Sequence, residues 1–390
     1  MLKKHSVSIK ESKITVQGSG RDGRDMENGR VKRVFPGGNT GIGFHSFFNY
    51  IAGPDIDQVY VIKGGPGTGK STLMRKIADK VRGDGLNVEL HHCASDNNSL
   101  DGLVVPALKV ALIDGMKPHL HDPEFPGAVG ELLNLGQYWN SEGIRVHAQK
   151  IMAAGAEGGR LFRSAYHYLG AARQVHANWE EKISGMQDWG WVNQESDQLC
   201  KDILGHQSVA ARPGRQRHLF VSAFTPEGPI SYAKTLTGAG SRIVTIRGQP
   251  GSGKSTLLTK IASAAEERGH LVEIYHSPLD PAKLQHVLIP ELDVFLATST
   301  ELFPYASETE YPTINLDYGL DRDRMVSHRT EIETDRQTFL QLLNTAIGLI
   351  KRARETHLEV EGFYVENMDF AALDSLRERL LSHIIQRANT

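Results

Sequence analysis

The chain has 390 residues, too many for one ordinary domain and enough for two of the usual 100–200 residues. Hydrophobic residues make up 39% and charged residues 23%, which excludes a wholly disordered chain, and a formal net charge of −2 gives no global pull toward nucleic acid or an anionic membrane. Two cysteines, Cys93 and Cys200, exclude a disulfide framework and fit a reducing compartment.

The first thirty residues are polar and lack the apolar core of a signal peptide, so residues 1–30 are expected to form a disordered arm, with Met26 opening the more structured part. No apolar run approaches the roughly 18–20 residues of a membrane span. Together these features predict a cytoplasmic protein with no membrane partner.

"QVYVIK", Gln58 to Lys63, is a β-branched and aromatic run ending at glycine, as a buried parallel strand should. "KGGPGTGKSTL" follows from Lys63. Apolar residues at helical spacing then run through "STLMRKIADKVRG" and stop at Gly83. "NVELHH" and, after a linker, "KVALID" read as further strands, and the proline-free stretch from Trp139 to Trp179 reads as helix. The basic "RPGRQR" at Arg212 to Arg217 reads as a solvated join.

Beyond the join the chain repeats itself. An offset of 184 carries Lys70 onto Lys254 without a gap, and "KIADKVRGDGLNVELHHCASD" faces "KIASAAEERGHLVEIYHSPLD". Thr40 and Thr225 each open a Thr-x-x-Gly-x-x-Ser-aromatic pattern, which either borders a base or caps a short helix. Farther on, Arg173 and His176 recur as Arg354 and His357. The second copy again supplies "RIVTIR", "STLLTKIASAAEERG", "LVEIYH", "DVFLAT" and a helical stretch from Asp321 to His357. The predicted fold is α/β, with two tandem P-loop NTPase domains over residues 31–210 and 211–390. Each is a parallel sheet flanked by helices, with additional helical segments as antiparallel pairs beside each sheet.

The pattern Gly-x-x-x-x-Gly-Lys-Ser/Thr lets backbone N–H groups turn around phosphate oxygens at a helix N-terminus. The first loop meets it through Gly64, Gly65, Pro66, Gly67, Thr68, Gly69, Lys70, Ser71 and Thr72, and the second through Gly248, Gln249, Pro250, Gly251, Ser252, Gly253, Lys254, Ser255 and Thr256. Lys70 and Lys254 are predicted to reach the β and γ phosphates, and the Ser71 and Ser255 hydroxyls to ligate Mg²⁺. A metal-holding carboxylate belongs at the end of a neighbouring strand, where "KVALID" ends on Asp114. Asp96 is the candidate water-activating residue, repeated as Asp280; a turn cap explains it equally well. His92 and His276 end the same strands and are as readily core residues.

The second unit departs in one place. Thr298 answers to Asp114, and Asp293 stands at the wrong end of its strand. A neutral hydroxyl does not offset metal charge, so hydrolysis is expected mainly in the first unit. No guanine-reading Asn-Lys-x-Asp is present, which leaves ATP as the expected nucleotide. Two alternatives stay open. One is a kinase whose small-molecule acceptor is bordered by "GMKPHLHDPEFPGAVG" with His119 and His121. The other is a non-hydrolytic switch acting on a protein partner.

The stretches "FPGGNT", "GFHSF", "KGGPGTGKSTLM", "HHCASDNNSLDG" and "DGMKPHLHDP", with "RHLFVSAFTPEGP", "GQPGSGKSTLL" and "VLIPELDV", resemble a Firmicutes-type bacterial family of tandem P-loop ATPase-like proteins with duplicated Walker A domains. The resemblance covers most of the chain from Arg33 onward. It implies ATP binding and ATPase activity without naming a substrate. It also implies Asp near position 298, from which Thr298 departs.

Overall fold

The computed structural model describes residues 28–117, 120–205, 207–306 and 313–387. The expected arm lies outside the described residues as far as residue 27. Gly29 and Arg30 are held by hydrogen bonds to the Arg82 carbonyl and the Asn87 side chain.

The first half builds strands β1 (Val31–Val34), β2 (Gly37–Thr40), β3 (Gly43–Ser46), β4 (Gln58–Lys63), β5 (Val88–Cys93), β6 (Asp96–Val105), β7 (Val110–Asp114) and β8 (Gly130–Asn134). Its helices are α1 (Lys70–Gly83), α2 (Ser141–Val146), α3 (Ala148–Ser184) and α4 (Trp189–Leu204). The second half repeats the series as β9 (Gln216–Leu219), β10 (Ser222–Thr225), β11 (Gly228–Ser231), β12 (Arg242–Arg247), β13 (Val272–His276), β14 (Leu284–Ile289), β15 (Val294–Thr298) and β16 (Thr313–Asn315), with α5 (Lys254–Glu267), α6 (Arg322–Ser327), α7 (Arg329–Val365) and α8 (Phe370–Arg387). The fold is α/β, with two six-stranded, mostly parallel sheets flanked by helices, ordered β1-β5-β6-β7-β4-β8 and β9-β13-β14-β15-β12-β16.

Neither sheet is wholly parallel. The stretch read as a linker is β6, antiparallel to β5 and β7, and β14 repeats it. Connection length dictates this. A parallel return needs a crossover of a dozen or more residues, whereas two residues separate β5 from β6. At the far end of β6 a 3-10 turn at Pro106–Leu108 and a left-handed Lys109 (φ 53°) reverse the chain into β7. Thr40 and Thr225 likewise sit in hairpins, β2–β3 and β10–β11, where each hydroxyl donates to the carbonyl of Gly43 or Gly228; neither caps a helix.

The long helices depart most from expectation. Instead of forming pairs beside each sheet, α3 and α7 run the length of one another in opposite directions, joined at one end by Asn178 and Lys182 on Asp335, with Gly158 facing Thr356 toward the other. Each helical extension then crosses over. Leu373, Leu380 and Ile384 of α8 pack into the core of the first sheet with Leu73, Ile77 and Leu112. Val192, Leu199 and Ile203 of α4 pack into the second, with Ile246, Leu257 and Ile261. An amphipathic helix must bury its stripe, and each stripe is buried against the other half's sheet.

Between the halves, Phe35 and Phe220 exchange backbone hydrogen bonds of 2.8 and 3.0 Å. Beside them lie four buried or part-buried charges related by the repeat. Lys32 pairs with Glu89 (3.1 Å) and Glu273 (2.7 Å), and Arg217 pairs with the same two carboxylates.

Candidate functional site

Each Gly-rich loop leaves the end of an interior strand, β4 or β12, and enters a helix. In the first loop Gly67 (φ 67°) and Gly69 (φ 87°) are left-handed, a conformation open to glycine without strain. Gly69 stands at the N-cap of α1, with no side-chain cap and no acidic residue in the first turn. The N-terminal N–H groups of α1 therefore have no side-chain cap and no acid of their own first turn to offset the helix dipole. Lys70 folds back, its Nζ donating to the Gly64 and Gly65 carbonyls at 2.8 Å. The Thr68 hydroxyl closes the loop onto the Gly65 carbonyl, Pro66 is half-buried and Thr72 is exposed.

The second loop has the same construction. Gly248, Gly251 and Gly253 take positive φ, and α5 starts without a side-chain cap or an early acid. Lys254 Nζ donates to the Gly248 and Gln249 carbonyls at 2.6 and 2.7 Å. Gln249 N–H donates to Asp317, and Ser252 is fully buried. Ser71 and Ser255 are placed alike, each hydroxyl accepting a backbone N–H at 3.0 Å, from Leu100 and Leu284. Pro250 and the exposed Thr256 line the cavity at this loop.

The acids divide the two sites. Asp114 pairs with Ile62 across β7 and β4, and Thr298 pairs with Ile246 across β15 and β12, so the two residues occupy matching positions. Asp114 Oδ2 lies 3.6 Å from Lys70 Nζ. Burial raises the Asp114 pKa, against the pull of Lys70. On β6 the buried Asp101 is pushed well above the usual carboxylate range, first by burial and then by Asp114. Sequence reasoning missed Asp101. Its signal was the repeat, in which position 101 answers to Gln285.

The second site thus has Gln285 and Thr298 where the first has two acids. Thr298 is buried, its N–H donating to His286 Nδ1. Burial lowers the Lys254 pKa to about 8, despite the opposing charges of Asp317 and Glu180. A helix start without a cap or an early acid leaves this lysine's charge only partly offset.

Both loops are roofed by the opposite half. A Cβ at Gly67 would lie 2.8 Å from the Glu361 carbonyl of α7, and one at Gly65 would meet the Tyr364 ring. A Cβ at Gly251 would collide with the Glu180 carbonyl of α3, and one at Gly253 would meet Trp189 and Val192. From these roofs Arg354 reaches Asp96 at 2.7 Å, and Arg173 approaches Asp280 to 3.7 Å. His357 and Glu361 follow on α7 (3.4 Å apart), as His176 and Glu180 do on α3 (3.5 Å). The repeat marked the arginines and histidines as matching pairs. It could not say that each serves the other loop.

At the second loop the roof leaves a cavity of about 830 Å³, lined by the loop and by Trp179, Trp189, Arg336 and Phe339 among others. A smaller one of about 190 Å³ lies between α1 and α8, beside Gly69 and Thr72.

His92 and His276 are contacts between the halves. His92 meets Arg33 at 3.0 Å and packs on Tyr232, while His276 meets His218 at 2.9 Å and packs on Phe47. Burial lowers both to about 4. His119 lies outside the described residues. His121 is half-buried, and its carbonyl, with that of Gly115, accepts from Lys63 Nζ at 2.7 Å, which ties the segment beside the first loop.

Among the described residues no group of three or more His, Cys, Asp or Glu could hold a metal, and no helix is long and apolar enough to cross a membrane. No protein-family model, curated protein or solved structure matches this chain.

Proposed function

We propose that the chain is an ATP-binding P-loop NTPase with duplicated nucleotide sites, hydrolysing ATP with Mg²⁺ mainly at the first loop. The observation that carries the reading is the pairing of two uncapped helix starts, each with a lysine folded onto its loop, with an aspartate at the neighbouring strand end in the first half and a threonine at the matching position in the second. ATP would bring its phosphate charge to the N–H groups and lysines of each loop.

The residues of the first site fit Mg²⁺, which needs one or two protein oxygens and takes its other ligands from phosphates and water. Ser71 and Asp114 would be those oxygens. The metal would supply charge neutralisation at the phosphates. Lys70 would hold the terminal phosphates, and Asp96 is the candidate for orienting water. At the second site Ser255 stands without an acid at position 298, which favours binding without rapid turnover. That arrangement supports a regulatory part for the second loop.

A family place among tandem P-loop ATPase-like proteins goes with this reading. So does a cytoplasmic location, since Cys93 and Cys200 are both free thiols.

The test is ATP hydrolysis by single-loop variants. Lys70→Ala is expected to remove most activity and Lys254→Ala to keep the larger share. The reverse pattern would overturn the assignment of hydrolysis to the first loop.

A further inference from the structure

We infer that Arg354 and Arg173 complete the nucleotide sites in exchange, each guanidinium contacting the terminal phosphate of a nucleoside triphosphate held by the opposite half's loop. The inference rests on the nucleotide reading of the loops and adds residues that no loop motif contains.

Position is the first support. Arg354, His357 and Glu361 are spaced i, i+3 and i+7 and so share one face of α7, and the backbone at Glu361 abuts Gly67 of the first loop. Arg173, His176 and Glu180 repeat the spacing on α3, with the backbone at Glu180 abutting Gly251. Two diverged copies therefore bring an arginine to the matching aspartate, Arg354 to Asp96 and Arg173 toward Asp280, on the helix that roofs each loop, although each arginine belongs to the other copy. The charges at the first site are mutually felt: burial lowers the His357 pKa, and Arg354 and Lys70 lower it further.

Hydrogen bonding is the second support. Arg354 uses Nη2 on Asp96, but its buried Nη1 has no hydrogen-bond partner and stands 3.6 Å from Glu361. In Arg173 the buried Nε has no partner either, and the nearest approach to Asp280 is 3.7 Å. A buried N–H left unpaired costs about 1–3 kcal/mol. A salt bridge whose purpose was to clamp the halves would satisfy its donors, and the halves are already joined by α3 with α7 and by the exchanged helices. Phosphate oxygens suit a planar guanidinium with donors to spare. Asp96 and Asp280 then act as parking partners, holding the arginines when no triphosphate is present.

The experiment separates triphosphate from diphosphate. In full-length chain carrying Lys254→Ala, so that one loop is left, titration calorimetry measures the affinity of Mg²⁺ with ADP and with the non-hydrolysed β,γ-imido analogue of ATP. Arg354→Gln is expected to weaken the ATP analogue roughly 10- to 100-fold, the range of a charge-assisted hydrogen bond, and to leave ADP affinity unchanged. Arg354→Lys, which keeps the charge and loses the fork, should fall between. Retained ADP binding also reports that the variant is folded. Equal losses for both nucleotides, or restoration of both by Lys, would show a structural ion pair and overturn the inference while leaving the nucleotide reading intact. An unchanged ratio would do the same. A parent that binds neither nucleotide overturns the nucleotide reading and the inference together. Arg173→Gln in a Lys70→Ala chain repeats the test at the second loop.

Discussion

Lys70 Nζ stands 3.6 Å from Asp114 Oδ2, while at the matching position of the second half Lys254 has Thr298, whose side chain carries no charge. Two loops of nearly the same sequence are thereby placed in different fields. At the first, a carboxylate stands beside the lysine, where the proposed function would have it share a divalent cation with the phosphates. At the second, burial outweighs the charges of Asp317 and Glu180 on the lysine. Asp114→Asn keeps the shape and removes the charge. Steady-state ATP hydrolysis should fall about 100- to 1000-fold, the scale of losing one preorganised electrostatic group, with ATP affinity largely kept. Activity within a few fold of the parent would remove Asp114 from the reaction.

The same contrast predicts a pH dependence at the second loop. Burial lowers the Lys254 pKa to about 8, below its ordinary value of 10.5. An anion binds the ammonium form, which is mostly present at pH 7 and mostly lost at pH 9. Affinity of the second loop for ADP, measured in a Lys70→Ala chain, should therefore drop roughly tenfold between pH 7 and pH 9. Thr298→Asp sets a carboxylate near the ammonium and should move the drop to higher pH. A flat profile would show that the lysine does not meet the phosphates.

Local patterning made much of this architecture legible. The strand, loop and helix at Gln58 to Gly83 and their copies at Arg242 to Glu267 follow from β-branched runs, glycines and helical spacing, and counting along the repeat matched Thr298 to Asp114. What could not be read was partnership. The stripe of α8 bearing Leu373, Leu380 and Ile384 demands burial, yet nothing in its spacing says which sheet supplies it. The reversal at Ala94 and Ser95 hides behind polar residues that look like a linker, although a connection so short forces an antiparallel strand. Arg354 could be recognised as the repeat of Arg173. Its place over the first loop depends on the helix exchange.

The charges between the halves should make folding acid-sensitive. Burial alone would raise the pKa of Glu89 and Glu273, but Arg217 and Lys32 outweigh it and hold both below the ordinary 4.5. A carboxylate depressed in the folded state stabilises it above the unfolded pKa, and the contribution is lost as pH falls through the folded one. The thermal midpoint should therefore decline steeply as pH falls below about 4.5. Arg217→Met leaves two buried carboxylates with one ammonium, and should lower stability at pH 7 by about 3–5 kcal/mol in denaturant titration. A loss below about 1 kcal/mol, the size of a surface pair, would show that water reaches these groups.

The exchange of helices predicts that neither half stands alone. In the first sheet, Ile384 is fully buried among residues some three hundred positions earlier in the chain, and Leu373 and Leu380 lie beside it. Ile384→Ala removes buried methylenes and should cost about 2–5 kcal/mol, with the lower value if the core can collapse around the gap. Ending the chain at Asp369 removes all of α8 and lays open the apolar face of α1. That truncated protein should aggregate or bind a hydrophobic dye strongly, and a peptide of residues 370–387 added in trans should reverse the dye signal. The first half expressed as residues 28–205 should fail in the same way, because it also carries α4, whose Val192 and Leu199 are left without the second sheet. A half that gives a cooperative thermal transition and no dye binding would show that the exchanged helices are accessories to two self-sufficient cores.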